Sequence, residues 1–250
     1  MSPEQITPYG DDSPKTEQVR QMFDHIAPSY DRLNRYMSLG LDGGWRRRAV
    51  AEVAAAAPRR IVDIACGTGD FAISLARAIP GACVTGVDLS AGMVEVGRRK
   101  VAAAGLADRV ELRVGDCLDG GGIAPGSADA VTVAFGVRNF ADLLAGYRAM
   151  LAMLRPGGVL CVLELARPAS RLVRPAYDLY TRALIPLMGR VISGDRRAYS
   201  YLPESIAAVP RGAAMTGLMR RAGFGSTRHI DLTMGVCCIY TAVRPENPAL

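Results

Sequence analysis

The sequence predicts an α/β protein: a doubly wound, mostly parallel sheet of seven strands whose last two form an antiparallel hairpin. Three observations carry that expectation. Short apolar runs alternate with helical patterns from Ile61 to Leu165. The first run, Ile61 to Ile64, breaks into a turn holding Gly67 and Gly69, and the next run closes on Asp88, at the spacing of nucleoside-binding α/β units. The run Ala128–Phe135 is apolar apart from Asp129 and Thr132, as expected of a strand covered on both faces.

Taken in order, Met1–Lys15 is polar and holds three prolines, so residues 1–15 are expected as a mobile tail before a single domain over 16–250. Thr16–Tyr30 has helical spacing (Val19, Met22, Phe23, Ile26) and ends near Pro28. Asp31–Arg48 mixes apolar residues with a Gly-rich turn and the single tryptophan, Trp45, and an Ala-rich helix over Ala49–Ala57 stops at Pro58. These pieces form a helical segment over 16–57. Strands then follow at Ile61–Ile64, Ala82–Val87, Val110–Val114, Ala128–Phe135 and Val159–Leu165. Helices lie between them: one through Ile79, one from a Ser90 N-cap to about Ala104, and one over Asp142–Leu154. From about 170 to 210 the rhythm breaks into a helical, Tyr- and Arg-rich insertion cut by Pro175, Pro186 and Pro203, expected to cap the site. A helix at Ala213–Ala222 and the hairpin Thr227–Leu232 with Val236–Val243 complete the sheet.

The turn after the first strand decides the ligand class. Gly67-Thr68-Gly69-x-x-Ala72 satisfies the dinucleotide fingerprint, so that pattern alone leaves a dinucleotide-linked oxidoreductase open. A pyrophosphate, however, needs a helix N-terminus free of acids. Here Asp63 and Asp70 bracket the turn, Asp88 ends the second strand and Asp116 follows the third. Carboxylates gathered on one sheet edge suit a cationic ligand without phosphate, and S-adenosylmethionine, with its sulfonium, ammonium and adenosine, fits them.

Composition narrows the rest. Half of the 250 residues are hydrophobic and 22% are charged, enough for a full core. No apolar run approaches the ~18 residues of a membrane span, and the N-terminus lacks the layout of a signal peptide. The six cysteines never occur as CxxC and read as reduced, buried thiols, and with two histidines far apart no metal site is expected. These features point to a cytoplasmic protein. The net charge of +6 is concentrated in Arg46–Arg48 and in the arginines between Arg167 and Arg197, where a solvated face competes with an anionic partner; no nucleic acid is expected.

With the elements in place, the sequence resembles the class I S-adenosylmethionine-dependent methyltransferases, and among them the family that C-methylates quinol rings in menaquinone and ubiquinone biosynthesis. The carriers are FDHIAPSYDRLNRYMSLGLDGGWRRR, DIACGTGD, FGVRNFAD, LRPGGVLCVLEL and AYSYLPESI. DIACGTGD is common to many methyltransferases; the first and last runs are far more specific. Two places depart from many relatives: Glu164-Leu165-Ala166 stands where an acid-Phe-Ser run is usual, and Cys238-Ile239-Tyr240 where Ala-Leu-His is usual.

The resemblance implies C-methylation of a prenylated quinol, most directly demethylmenaquinol. A ubiquinone-pathway benzoquinol, another aromatic acceptor and a non-catalytic cofactor-binding protein remain open. By position it assigns Thr68 to the cofactor turn, Asp88 to the ribose, and Asp116 with Cys117 to the adenine, with Asp63, Gly67 and Gly69 completing the pocket. Asp116 as a loop acid and Cys117 as packing are the competing readings. Methyl transfer to a ring carbon needs the phenolate favoured, and Arg138 with Asn139, at the end of the fourth strand, is placed to do this; a structural ion pair for Arg138 competes. His25 is weighed as a base against a surface role. Tyr30, Trp45, Tyr199 and Tyr201 are candidates to wall the acceptor ring, or core residues. A lipid acceptor without a membrane span implies peripheral contact at the inner membrane face, with Arg171–Arg197 the expected contact segment. A homo-oligomer is left open.

Overall fold

The computed structural model describes residues 3–181 and 196–246, with side chains described from residue 201 in the second stretch. Arg182, Arg190 and the side chains of Arg196, Arg197 and Tyr199 therefore lie outside the described residues, and with them most of the basic segment expected to touch lipid.

Seven strands form one sheet: β1 (Arg60–Ile64), β2 (Cys83–Asp88), β3 (Val110–Val114), β4 (Ala128–Ala134), β5 (Leu154–Leu165), β6 (Gly225–Leu232) and β7 (Cys237–Val243). Their order is β3-β2-β1-β4-β5-β7-β6. The first five run parallel; β7 inserts antiparallel against β5 and leaves β6 at the edge. The expected hairpin is present, its two strands joined by the turn Thr233–Gly235. β5 begins five residues before Val159, because the Arg155–Gly158 turn stays paired to the start of β4 through a register shift between Ala128 and Ala130.

Helices cover both faces. On one side α3 (Asp42–Ala54), α4 (Asp70–Ala78) and α5 (Ala91–Ala103) pack through Val53, Leu75 and Val94. On the other, α6 (Leu143–Met153) and a helix over Ala213–Arg221 pack through Tyr147, Met150, Met215 and Met219. Asp142 caps α6 by accepting from the Ala145 N–H at 2.8 Å, and Ser90 caps α5 by accepting from Met93 N–H at 3.1 Å.

The stretch before β1 is more regular than its sequence promised. Thr16–Tyr30 splits into α1 (Lys15–Ile26), a 3-10 turn at Ala27–Ser29 and α2 (Tyr30–Met37), and the Ala-rich helix starts earlier, at Asp42. Pro28 sits in the 3-10 turn, where its missing N–H breaks the helix without ending the helical course. Asp24 on α1 accepts from Ser90 Oγ at 2.6 Å and Gly92 N–H at 2.9 Å, which fixes α1 against the N-terminus of α5 with a favourable charge there.

The segment expected as a mobile tail is held on the body. Ile6 is buried with Met22, Ile26 and Leu33. The fully buried Gln18 amide accepts from the Tyr9 and Gly10 N–H groups at 2.9 and 3.1 Å and donates to the Asp11 and Ser13 carbonyls at 3.1 and 2.8 Å. One side chain thus satisfies a run that lacks secondary structure of its own, a device invisible to periodicity. Lys15, also buried, donates to the Pro3 carbonyl at 2.6 Å, and burial pulls its ammonium down to about 8. A small third core joins Ile6, Met22, Ile26, Leu33 and Met93 to Tyr201 of a helix over Arg196–Ala208, so the N-terminal helices and the late insertion form one cap.

Candidate active site

Two cavities open beside each other above the carboxyl ends of the parallel strands, where the order switches between β1 and β4. The first is floored by Ile64, Ala65, Gly67, Val87–Ser90, Gly115–Leu118 and Ala134–Gly136 and roofed by Thr16, Val19, Arg20 and Phe23 of α1. The second, larger and more apolar, runs under the cap between α1, α2, α3, a helix α7 (Arg174–Leu179), the Arg196–Ala208 helix and the β6–β7 turn. Phe23, Tyr30, Phe135 and Asn139 line both, and form the neck between them.

The Gly-rich turn is built by its backbone. Ala65, Gly67 and Gly69 all have positive φ (51°, 53° and 78°), and Gly69 caps α4 in the left-handed conformation. A Cβ on Gly69 would come within 3.1 Å of Leu112, so this glycine serves helix–sheet packing. Asp88 ties the turn down: its Oδ2 accepts from Gly67 N–H at 2.8 Å and its Oδ1 from Ser90 N–H at 2.9 Å. Each oxygen keeps a second lone pair for a hydroxyl. Asp116 accepts from Leu118 N–H at 2.9 Å and, like Cys117, lines the first cavity; burial pushes the Cys117 thiol up to about 12, so it stays a neutral thiol and its backbone is the stronger polar partner.

Asp63 lies beneath this turn, fully buried. Its Oδ1 accepts from Thr132 at 2.6 Å and its Oδ2 has no partner. Burial raises its carboxyl to about 7; the Thr132 bond opposes this and neighbouring Asp88 adds to it. Asp63 itself lines neither cavity and acts from below the turn; Asp88 and Asp116 at the edge of the first cavity fit a cationic nucleoside ligand such as S-adenosylmethionine better than a phosphate. Arg20 is the basic residue in the lining, and it is paired with Glu17 and Asp24.

Thr68 is brought elsewhere. Its hydroxyl hydrogen-bonds Asp31 and accepts from Lys100 Nζ at 3.1 Å, and neither Thr68 nor Gly69 lines the first cavity. Lys100 also bridges Asp31 and Asp70 at 2.6 and 2.5 Å, so the turn's outer side is bolted to α2.

Arg138 and Asn139 stand at the neck. Arg138 is buried and its Nη1 pairs with Glu164 Oε1 at 2.8 Å, while Glu164 Oε2 accepts from the Arg138 backbone N–H at 3.2 Å. The structural ion pair is therefore present. Arg138 also lines the second cavity, and its Nε has no hydrogen-bond partner. Tyr201 donates to Asn139 Oδ1 at 3.0 Å, which turns the amide N–H₂ away from Tyr201. Burial drives the Tyr30 and Tyr201 hydroxyls above the usual phenol range, so both stay protonated at neutral pH. Trp45 donates to Thr233 at 2.8 Å and packs edge-on to Phe135 at 6.3 Å. Tyr30, Trp45 and Tyr201 all line the second cavity; the Tyr199 side chain lies outside the described residues.

Neither histidine lines either cavity: His25 is exposed on α1 and His229 lies on β6, so the weighed base is misplaced for this site. Sequence reading missed Phe23, Phe135 and Glu164 as site residues. Phe135 has φ 61°, uncommon for a bulky residue, directly before Gly136 at a strand end. Its position at the carboxyl end of β4 was the available signal. Tyr177 and Tyr180, inside the segment expected to contact lipid, line the second cavity instead, with Tyr180 donating to the Met37 carbonyl at 3.0 Å.

Solved structures of similar shape include a [4+2]-cyclase, SpnF (TM-score 0.68, 18% identity, covering 94% of this chain and 98% of that one). Another is an O-methyltransferase-like protein of Nostoc punctiforme (TM-score 0.63, 19% identity, 89% and 60% covered). Sheet order and site together define the class I S-adenosylmethionine-dependent methyltransferase fold. Residues 12–244 match the model of the ubiE/COQ5 methyltransferase family. The chain is 43% identical over 241 residues to a demethylmenaquinone methyltransferase of Bacteroides fragilis, covering 96% of this chain and 98% of that one. It is 41% identical over 228 residues to the ubiquinone/menaquinone biosynthesis C-methyltransferase UbiE of Geotalea daltonii, covering 91% and 96%. The chain belongs to the ubiE/COQ5 methyltransferase family.

Proposed function

We propose that this chain methylates a ring carbon of a prenylated quinol, converting a demethylmenaquinol to a menaquinol. The observation that carries this is the neck: an acid-edged nucleoside cavity and a larger apolar cavity share Phe23, Tyr30, Phe135 and Asn139. When bound, S-adenosylmethionine supplies an activated methyl group. Asp88 holds its ribose, Asp116 and the Cys117 backbone its adenine, and Asp63 adds negative charge beneath the turn. Across the neck, Trp45, Tyr30 and Tyr201 wall the acceptor ring. Asn139 donates to a ring oxygen, and the unpartnered edge of Arg138 favours the phenolate form. Forming the ring carbon–methyl bond displaces that carbon's proton, and the described lining of the acceptor cavity offers no histidine to take it. Its carboxylate, Asp42, is held by Ser38 at 2.8 Å and by Arg46. Water is therefore the proton acceptor in this scheme.

The relatives at 43 and 44% identity carry the demethylmenaquinone name and those at 41 and 39% a joint ubiquinone/menaquinone name, which supports the naphthoquinol as the first acceptor to test. The test is incubation with labelled cofactor and two reduced short-chain acceptors, a demethylmenaquinol and a benzoquinol precursor. Label should enter the naphthoquinol preferentially. Cofactor binding with no transfer to either acceptor would reduce the chain to a binding protein.

A further inference from the structure

Seven large apolar side chains stand exposed among the described residues, and six of them lie on, or directly beside in the chain, residues that line the acceptor cavity. Leu39 and Leu41 line the acceptor cavity itself, while Tyr36, Leu172, Leu179 and Met234 each adjoin a residue that does. Leu172 is 91% exposed, Leu39 72% and Met234 70%. Exposed apolar residues scattered singly need no explanation, but a group of them beside one apolar cavity marks an interaction surface. Local backbone does not account for them. Leu39 and Met234 occupy turn tips at φ 52° and 55°, where glycine or asparagine is the unstrained choice.

The charges on the same segments are one-sided. Asp31, Asp42, Asp178 and Asp231 are each neutralised, by Lys100, Arg46, Arg167 and Arg211. Arg32, Arg35, Arg171 and Arg174 are exposed and carry no ion pair among the described residues. The same segments thus expose apolar residues and unpaired arginines together.

We propose that this surface docks on an anionic phospholipid bilayer, setting the mouth of the acceptor cavity against the lipid so that a prenylated acceptor enters without crossing water. The proposal rests on the quinol reading above and names the face that serves it. Apolar tips gain by burial in the headgroup region and arginines by attraction to anionic headgroups, and the two contributions reinforce each other on one face. A second copy of the chain or another protein on the same face is the competing occupant.

The experiment is sedimentation of the full chain with vesicles of phosphatidylglycerol and phosphatidylcholine, or of phosphatidylcholine alone. Salt-sensitive binding to the anionic vesicles is expected. The triple variant Leu172→Ser, Leu179→Ser, Met234→Asn, none of which lines the cavity, should bind at least ~10-fold more weakly. Its turnover of a water-soluble short-chain acceptor should stay within about 2-fold of the parent, because the ring site is untouched. Arg171→Gln with Arg174→Gln should weaken binding at low salt and change it little at high salt. Absence of parental binding at low salt, unchanged binding by the triple variant, or a solution dimer that the triple variant dissociates would each overturn the docking face. A parent that binds vesicles yet fails to methylate the short-chain acceptor would sink the quinol reading and leave the docking face standing.

Discussion

The two cavities that meet at Asn139 are made in different ways. On the nucleoside side the floor is backbone: strand ends, a turn at positive φ, and one carboxylate, Asp88, holding Gly67 and Ser90. Its acidic lining residues are Asp88, the last residue of β2, and Asp116, just past the end of β3. On the acceptor side the walls are side chains drawn from Met22 to Val236, joined by contacts such as Trp45 to Thr233 and Tyr201 to Asn139. The first is acidic; the second is apolar around a neutralised pair, Arg138–Glu164. The difference teaches that a sheet edge builds one cavity from neighbouring backbone, while the other is assembled from side chains far apart in the chain.

The comparison breaks most visibly at the buried pair. Glu164→Ala leaves the Arg138 guanidinium unpaired and should destabilise the fold by about 3–5 kcal/mol, read by denaturant unfolding. The double variant Arg138→Met, Glu164→Leu should recover much of that stability without recovering turnover. Recovery of both would make the pair purely structural. On the nucleoside side, Asp88→Ala should weaken cofactor binding by roughly 1.5–3 kcal/mol in calorimetric titration, with acceptor affinity unchanged. Because the carboxylate holds two backbone N–H groups, some loss of stability is expected as well, and Asp88→Asn, which keeps an acceptor oxygen, separates the two effects.

A smaller effect sharpens the contrast on the acceptor side. Trp45→Phe removes the bond to Thr233 and should raise the acceptor KM, at a stability loss of about 0.5–1.5 kcal/mol, with cofactor affinity intact. The smallest concerns pH. Asp63 has its folded carboxyl raised to about 7 from 3.8. Between those values the unfolded chain ionises first, so the stability contributed by the protonated form is full below the lower value and fades as pH rises towards 7. Cofactor affinity should move the other way, rising as Asp63 ionises beneath the cationic ligand, and Asp63→Asn should flatten that rise. A pH-independent affinity in the parent protein would remove Asp63 from the cofactor's electrostatics.

The same contrast explains what could be read from the chain. The strand ends, the Ser90 cap, Asp88 and the parallel order followed from short-range pattern, because backbone turns and sheet edges are encoded by neighbours. Thr68 misled for the same reason: its place in the motif is local, but its hydroxyl is claimed by Asp31 and Lys100 from distant helices. Glu164 beside Arg138, Phe135 at the neck and the Gln18 clamp on the N-terminal segment depend on long-range packing that periodicity does not carry. Tyr177 and Tyr180 lie in the segment expected to contact lipid, yet they line the acceptor cavity, while Leu39 and Met234 are exposed at turn tips.

The account stands on the neck: a methyl donor on its acidic side faces a ring carbon on its apolar side. The direct measurement is a single turnover with cofactor carrying a ¹³C methyl group and a reduced short-chain demethylmenaquinol, followed by carbon NMR of the extracted product. One labelled methyl bonded to a ring carbon is the expected result, lost in Asn139→Ala while cofactor binding persists. A label on a phenolic oxygen, or full ring methylation by the Asn139→Ala variant, would contradict the account.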